Sequence, residues 1–231
     1  MNIYQKEEVS KMLLEFKCSN HRSIKEEVNF SMIAGSDNTS EELLKDFGNF
    51  RVLRSAVIYG ANGSGKSNFI SALLFMCDLV GNSINYQPGQ GVFQARHKLS
   101  AEDSSSEYRI QFVRNDIRYA YGFSVKKNLI QDEYLYYFPK GRQVKIFERN
   151  GLEIRPGDRY KGVFDVSISI LKDNRLFLSC AANYSNVKEL EEAFMFFKTD
   201  IVVYNPEINN WTEYSIKLMQ DNDMMKKIFL N

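Results

Sequence analysis

Eight consecutive residues, Gly60-Ala61-Asn62-Gly63-Ser64-Gly65-Lys66-Ser67, constrain this chain more than any other feature. They satisfy the pattern Gly-x-x-x-x-Gly-Lys-Ser/Thr at every fixed position. A compact apolar run at residues 55–59, with Val57 and Ile58 β-branched, leads straight into them and predicts a buried strand. Phe69, Leu73, Met76, Cys77 and Val80 then recur at helical spacing, ending near Gly81. Strand, glycine-rich turn and helix are the setting in which this pattern has a mechanism. Glycines at 60, 63 and 65 allow unusual dihedrals, so that the N–H groups of residues 63–67 can converge on an anion. The helix start adds partial positive charge. The expected ligand is a nucleoside triphosphate, ATP with Mg²⁺. Gly60, Gly63, Ser64 and Gly65 cradle its phosphates, and Lys66 bridges the β- and γ-phosphates. Ser67 takes one position on the metal, and Asn68 contacts the nucleotide or packs the helix start.

The chain has 231 residues, 44% apolar and 26% charged, enough for a sizeable core in one large domain or two small ones. Thirty basic against twenty-nine acidic residues leave a net charge of +1, so the overall charge carries no footprint for nucleic acid or membrane. Cys18, Cys77 and Cys180 are widely spaced, with only His21 and His97 beside them. That pattern predicts reduced, buried thiols rather than a disulfide framework or a zinc cluster. Residues 1–11 are polar, and no run approaches the ~20 apolar residues of a membrane span, so the expectation is a cytoplasmic protein with no membrane partner.

Residues 13–16 and 28–33 read as a hairpin across the polar turn at 19–23. Residues 35–50 read as a surface insertion around a short helical patch at 41–47. The Asn-, Gln-, Gly- and Ser-rich stretch 82–106 predicts a long mobile connection where a lobe boundary could fall. Segments 108–113, 119–125, 133–138 and 144–148 predict an antiparallel meander within about 107–155, and 187–197 a helix followed by a strand at 201–204.

The stretch from Leu13 through Ser19-Asn20-His21-Arg22-Ser23-Ile24, Asn62 inside the phosphate loop, and the segments around Tyr108 to Val125 and Asp132 to Phe138 resemble the ABC-type ATPases related to SMC proteins. More narrowly, they resemble the bacterial AAA-type ATPases of OLD-nuclease and abortive-infection systems. The resemblance implies an α/β P-loop NTPase fold, with this chain as its N-terminal lobe carrying the antiparallel meander. It also implies a place for Arg22 near the nucleotide phosphates and for Asn62 near the γ-phosphate. His21 departs from the pattern, standing where an aromatic Phe or Tyr commonly sits. The family pattern begins near Met12, so residues 1–11 are expected to be a flexible extension and 12–231 the ATPase portion. Its helical and strand segment spans about 165–231.

A complete ATPase of this kind also has a Walker B strand ending in acids, a Ser-Gly signature loop and a switch histidine. Leu129 to Glu133 ends in an acidic pair, but Gln131 interrupts it among the meander strands, where an exposed strand edge is expected. Asp78 falls on the helix after the phosphate loop and reads as a solvated residue. Leu178-Ser179-Cys180 lacks the signature glycines, and His21 and His97 read as surface or packing residues. The amphipathic end at 224–231 has no helix stop. The fold thus reads as incomplete and the catalytic residues as unknown, with a protein partner or second protomer supplying Walker B and signature elements. The implied role is anti-phage defence or DNA maintenance, with DNA a partner by resemblance alone. Arg51, Arg54, Lys126, Lys127, Lys140, Arg142 and Lys145 read as solvated charges. One alternative is a non-catalytic nucleotide-binding module. The other, a small kinase or GTPase, lacks an Asn-Lys-x-Asp guanine selector.

Overall fold

A computed structural model describes residues 10–35, 41–48 and 50–203. Residues Met1–Ile201 form one compact unit; of a second, Val202–Asn231, only residues 202 and 203 are described. The expected features at 1–9 and 224–231 lie outside the described residues. The expected extension is shorter at its far end, since Lys11 already belongs to the first strand.

The strands are β1 (Lys11–Ser19), β2 (Val28–Ser31), β3 (Leu44–Asp46), β4 (Arg51–Leu53), β5 (Ser106–Arg114), β6 (Ile117–Lys126), β7 (Leu129–Phe138), β8 (Val144–Asn150) and β9 (Glu153–Pro156). Seven of them make one sheet in the order β2-β1-β5-β6-β7-β8-β9, with every neighbour antiparallel. The expected hairpin and meander are therefore one sheet, joined where β1 lies along β5. Alternation does the sorting: Tyr108, Ile110 and Phe112 on β5 and Tyr119, Tyr121, Phe123 and Val125 on β6 are buried on one face. A register shift between Leu13 and Glu15 bulges β1. Leu14 is thereby turned away from the main core into a small satellite with Met32, Val52 and Val113.

Among the described residues four helices follow the same logic: α1 (Lys66–Asn82), α2 (Asp165–Ser169), α3 (Phe177–Tyr184) and α4 (Lys188–Met195), the last running into a π-turn at Phe196–Asp200. Phe69, Ala72, Leu73, Met76, Leu79 and Val80 of α1 join the sheet's inner face, α3 and α4 in one core. With its short extension, α1 spans Lys66–Asn85 and is long and apolar enough to cross a membrane by length and composition. Its buried stripe is part of that core.

Four expectations are corrected. The patch at 41–47 is a 3₁₀ turn (Glu41–Leu43) leading into β3, which pairs with β4 as a separate hairpin. Cross-strand pairing outweighs the helical spacing there. No boundary falls within 82–106, because α1 and the meander share the core. The stretch is irregular but pinned: Asn174 Nδ2 donates to the carbonyls of Gln87 and Gln90 at 2.8 and 2.7 Å, and Arg175 donates to the carbonyl of Tyr86. Residues 201–203 carry no strand, and residue 204 lies outside the described residues.

The fourth correction bears on the site. Residues 55–59 form no ladder, and Val57, Ile58 and Tyr59 are 83%, 41% and 90% exposed. An apolar run becomes a buried strand only beside other strands, and none of the described strands neighbours this one.

Candidate nucleotide site

The phosphate loop turns on two glycines in the left-handed region, Gly63 at φ 80° and Gly65 at φ 98°. Gly65 is the N-cap of α1, and it caps with no side chain; the first turn also carries no acid. The first ladder bond of the helix runs from the Phe69 N–H to the Gly65 carbonyl at 2.9 Å. The N–H groups of Lys66, Ser67 and Asn68 therefore stand at a helix start with no partner among the described residues. Orphan donors backed by the helix dipole make an anion site.

Lys66 is folded over this loop, with Nζ donating to the carbonyls of Gly60 and Ala61 at 2.7 and 2.8 Å. The ammonium is thus held at the loop's mouth by exchangeable carbonyl contacts. The Ser67 side chain is exposed beside it, as a metal-binding hydroxyl must be. Ala61, Asn62, Gly63 and Ser64 are exposed at the tip, and the Ser64 N–H closes a turn onto the Ala61 carbonyl at 3.2 Å. The donor set, backbone N–H groups with one ammonium and one hydroxyl, fits a magnesium-bound triphosphate.

The turn after β1 is brought against this loop. Asn68 Nδ2 donates to Ser23 Oγ at 2.6 Å, and Ser23 Oγ lies 3.3 Å from where a side chain on Gly65 would begin. Arg22, next in line, is exposed, holds φ 51° and donates its N–H to the Ala95 carbonyl at 2.6 Å. A cleft of about 590 Å³ runs from the loop along this side. Ser23 to Phe30 line one wall, with Ile58, Tyr59, Lys66 and Phe69 opposite. Its size suits a nucleoside. No local pattern marks residues 23–30 as a wall of the site; only the packing of the hairpin on α1 brings them there. Two acids, Glu26 and Glu27, line the cleft, and Glu27 is paired with Arg109 at 3.1 Å.

His21 is a packing residue, as expected, though at the site's edge: it is 1% exposed, with Nδ1 2.8 Å from the Tyr108 hydroxyl and Nε2 3.3 Å from the Ser71 hydroxyl. Burial, aided by the nearby Arg22 charge, lowers its pKa from 6.5 to about 4. Between those values the unfolded chain binds a proton that the folded chain refuses. Its contribution is complete above pH 6.5 and is lost as pH falls toward 4. The expected result is a loss of about 1–2 kcal/mol across that window in wild type relative to His21→Phe, measured by urea unfolding at a series of pH values.

The other candidates lie elsewhere. Asp78 is exposed and accepts from Asn82 Nδ2 at 2.7 Å within α1. Leu178, Ser179 and Cys180 are buried in α3. Leu129 to Glu133 is no exposed edge: β7 is interior to the sheet, between β6 and β8. Asp132 bonds Ser124 and Asn150, while Glu133 is fully buried against Arg149, Tyr121 and the start of α3. Neither lines the cleft. The three cysteines are free, and burial pushes each thiol up to about 12. Among the described residues no cluster of His, Cys, Asp and Glu could hold a metal ion by itself.

Residues 55–161 match the family model described as "AAA domain, putative AbiEii toxin, Type IV TA system". The match starts at the apolar run before the loop and ends just after β9, covering slightly less than half of the chain. This likeness to the AAA domain supports an ATP-binding P-loop domain of AAA type, with a mixed α/β fold. No curated protein matches the chain.

Proposed function

We propose that this chain is the nucleotide-binding part of an ABC/SMC-like ATPase, acting in anti-phage defence of the abortive-infection or toxin–antitoxin kind or in DNA maintenance. The observation that carries the reading is the uncapped start of α1, where three backbone N–H groups, Lys66 and Ser67 converge beside a nucleoside-sized cleft. ATP occupies loop and cleft, Mg²⁺ binds through Ser67 and phosphate oxygens, and Asn62 and Arg22 approach the terminal phosphate. Arg22 is supported by the Ser23–Asn68 bond, which sets its turn on the loop. The metal's chemistry would be to neutralise charge developing on the transferred phosphoryl group.

The catalytic acid and signature loop come, in this reading, from a protein partner or a second protomer. The exposed apolar residues 57–59 support that view, because a run apolar on both faces is stable only as an inner strand. A non-catalytic nucleotide-binding role is the second reading, favoured by the positions of Asp132 and Glu133 away from the cleft. DNA enters through the family resemblance alone, and the cytoplasm is the proposed location.

Calorimetric titration with Mg²⁺-ATP, paired with a phosphate-release assay on the same chain, tests the proposal. The expected outcome is saturable binding with negligible turnover, since a phosphate loop without a positioned water and acid lacks most of the rate enhancement. Robust turnover would place the missing acid in this chain, with Glu26 and Glu27 the first to replace. Absence of binding would end the proposal.

A further inference from the structure

Two non-glycine residues within three positions of the turn after β1 hold left-handed backbone, Asn20 and Arg22, each at φ 51°. Asparagine adopts this conformation readily, whereas arginine keeps it only where its surroundings over-determine it. On one side the restraints come from the loop before β5. Asn20 Nδ2 donates to Ser104 Oγ at 2.9 Å and to the Ser105 carbonyl at 3.0 Å, its Oδ1 accepts from the His97 N–H, and Arg22 itself is tied to Ala95.

On the other side the restraint is His21. Its N–H and carbonyl both pair with Ile24 at 2.8 Å, closing the turn around Arg22 and Ser23. Its ring packs against Phe75 and Tyr108 and reaches the Tyr108 hydroxyl with one nitrogen and the Ser71 hydroxyl with the other. Ser71 stands one helical turn beyond Ser67 on the same face of α1. The imidazole thus links the helix whose first turn faces the phosphates to the sheet, and its own backbone shapes the turn that presents Arg22. A Phe at this position would fill the space but could fix neither hydroxyl.

We infer that His21 is a positioning residue for nucleotide binding: clamped between Ser71 and Tyr108, it fixes the turn that carries Arg22 and sets Ser23 against the start of α1. The inference rests on the proposed role of Arg22 toward phosphate, so the test separates the two.

Mg²⁺-ATP dissociation constants and melting temperatures are measured on the full chain for wild type, His21→Phe, His21→Gln, Arg22→Ala, the His21→Phe/Arg22→Ala double variant and Lys66→Ala. His21→Phe and Arg22→Ala are each expected to weaken binding roughly tenfold, with the double variant no weaker than Arg22→Ala alone. His21→Gln, which can still bond a hydroxyl, recovers part of the loss. Wild-type affinity in His21→Phe, losses that add in the double variant, or a Gln variant as weak as Phe would each overturn the inference. An unchanged Arg22→Ala beside a dead Lys66→Ala would overturn it while leaving the nucleotide site intact; an unchanged Lys66→Ala would remove the site as well. Should His21→Phe fail to fold, Ser71→Ala and Tyr108→Phe each remove one hydroxyl, and wild-type affinity in both overturns the inference.

Discussion

Replacing Lys66 by alanine should abolish measurable Mg²⁺-ATP binding while leaving the fold intact. The ammonium is the one side-chain cation seated over the loop among the described residues, and it donates there to two carbonyls at the tip. Phosphate oxygens in the loop would accept the same donors in place of those carbonyls. Charge-assisted hydrogen bonds contribute about 1.5–3 kcal/mol each, so losing two costs on the order of 10²–10⁴-fold in affinity. The fold should barely register the change. Lys66 is half-buried at the outer end of α1, and the contacts it loses lie in an exposed turn, so a shift within about 0.5 kcal/mol is expected. Titration calorimetry beside urea unfolding separates the two effects. Retained binding in the variant would show that the triphosphate is not held by this loop.

The second large effect should fall on stability and leave binding alone. Glu133 sits on the inner face of β7 with no exposure, its carboxylate accepting from Arg149 at 3.3 Å, Tyr121 at 2.9 Å and the N–H groups of Phe177 and Leu178 at 2.6 and 2.9 Å. It therefore caps α3, whose own N-cap, Leu176, makes no side-chain hydrogen bond. Burial raises its pKa, and Arg149, the two N–H groups and the phenol each pull the other way. Arg149 meanwhile reaches the carbonyls of Gly151 and Lys172 at 2.6 and 3.2 Å, and that of Arg175. Glu133→Ala leaves a buried guanidinium unpaired and two helix N–H groups unsatisfied. Breaking such a pair costs about 3–5 kcal/mol, a drop of roughly 6–20 °C in melting temperature for a chain of this size. Glu133→Gln keeps one acceptor and should cost about half as much. If Glu133 were instead a metal-activating acid of the nucleotide site, the Gln variant would change nucleotide binding or turnover at little cost in stability.

Glu133 shows what local pattern misses. An acidic pair after an apolar run reads equally as a catalytic strand end or as an exposed edge, and it is neither. Its meaning is set by Arg149, sixteen residues away, and by α3, some forty-four residues away. The opposite failure occurs at residues 55–59. Their apolar, β-branched character predicts a buried strand, but burial needs neighbours that the described residues do not provide. The connection at 82–106 is irregular as its composition suggests. It is nevertheless fixed by Asn20, Gln94, Asn174 and Arg175, whose amide and guanidinium groups bond its backbone or tie it to other segments.

The phosphate loop, the helix behind it and the meander strands are legible along the chain, because each rests on short-range causes: glycine freedom at Gly63 and Gly65, the 3.6-residue period of α1 and the alternation along β5 to β8. The tertiary structure alone decided that β1 joins the meander in one sheet, that the turn from Asn20 to Ser23 lies against the loop, that residues 23–30 wall the cleft and that Glu133 is a buried structural acid. Those outcomes depend on contacts between residues tens of positions apart, formed when the inner face of the sheet closes over α1 and α3. No window of sequence short enough to carry a motif contains both partners.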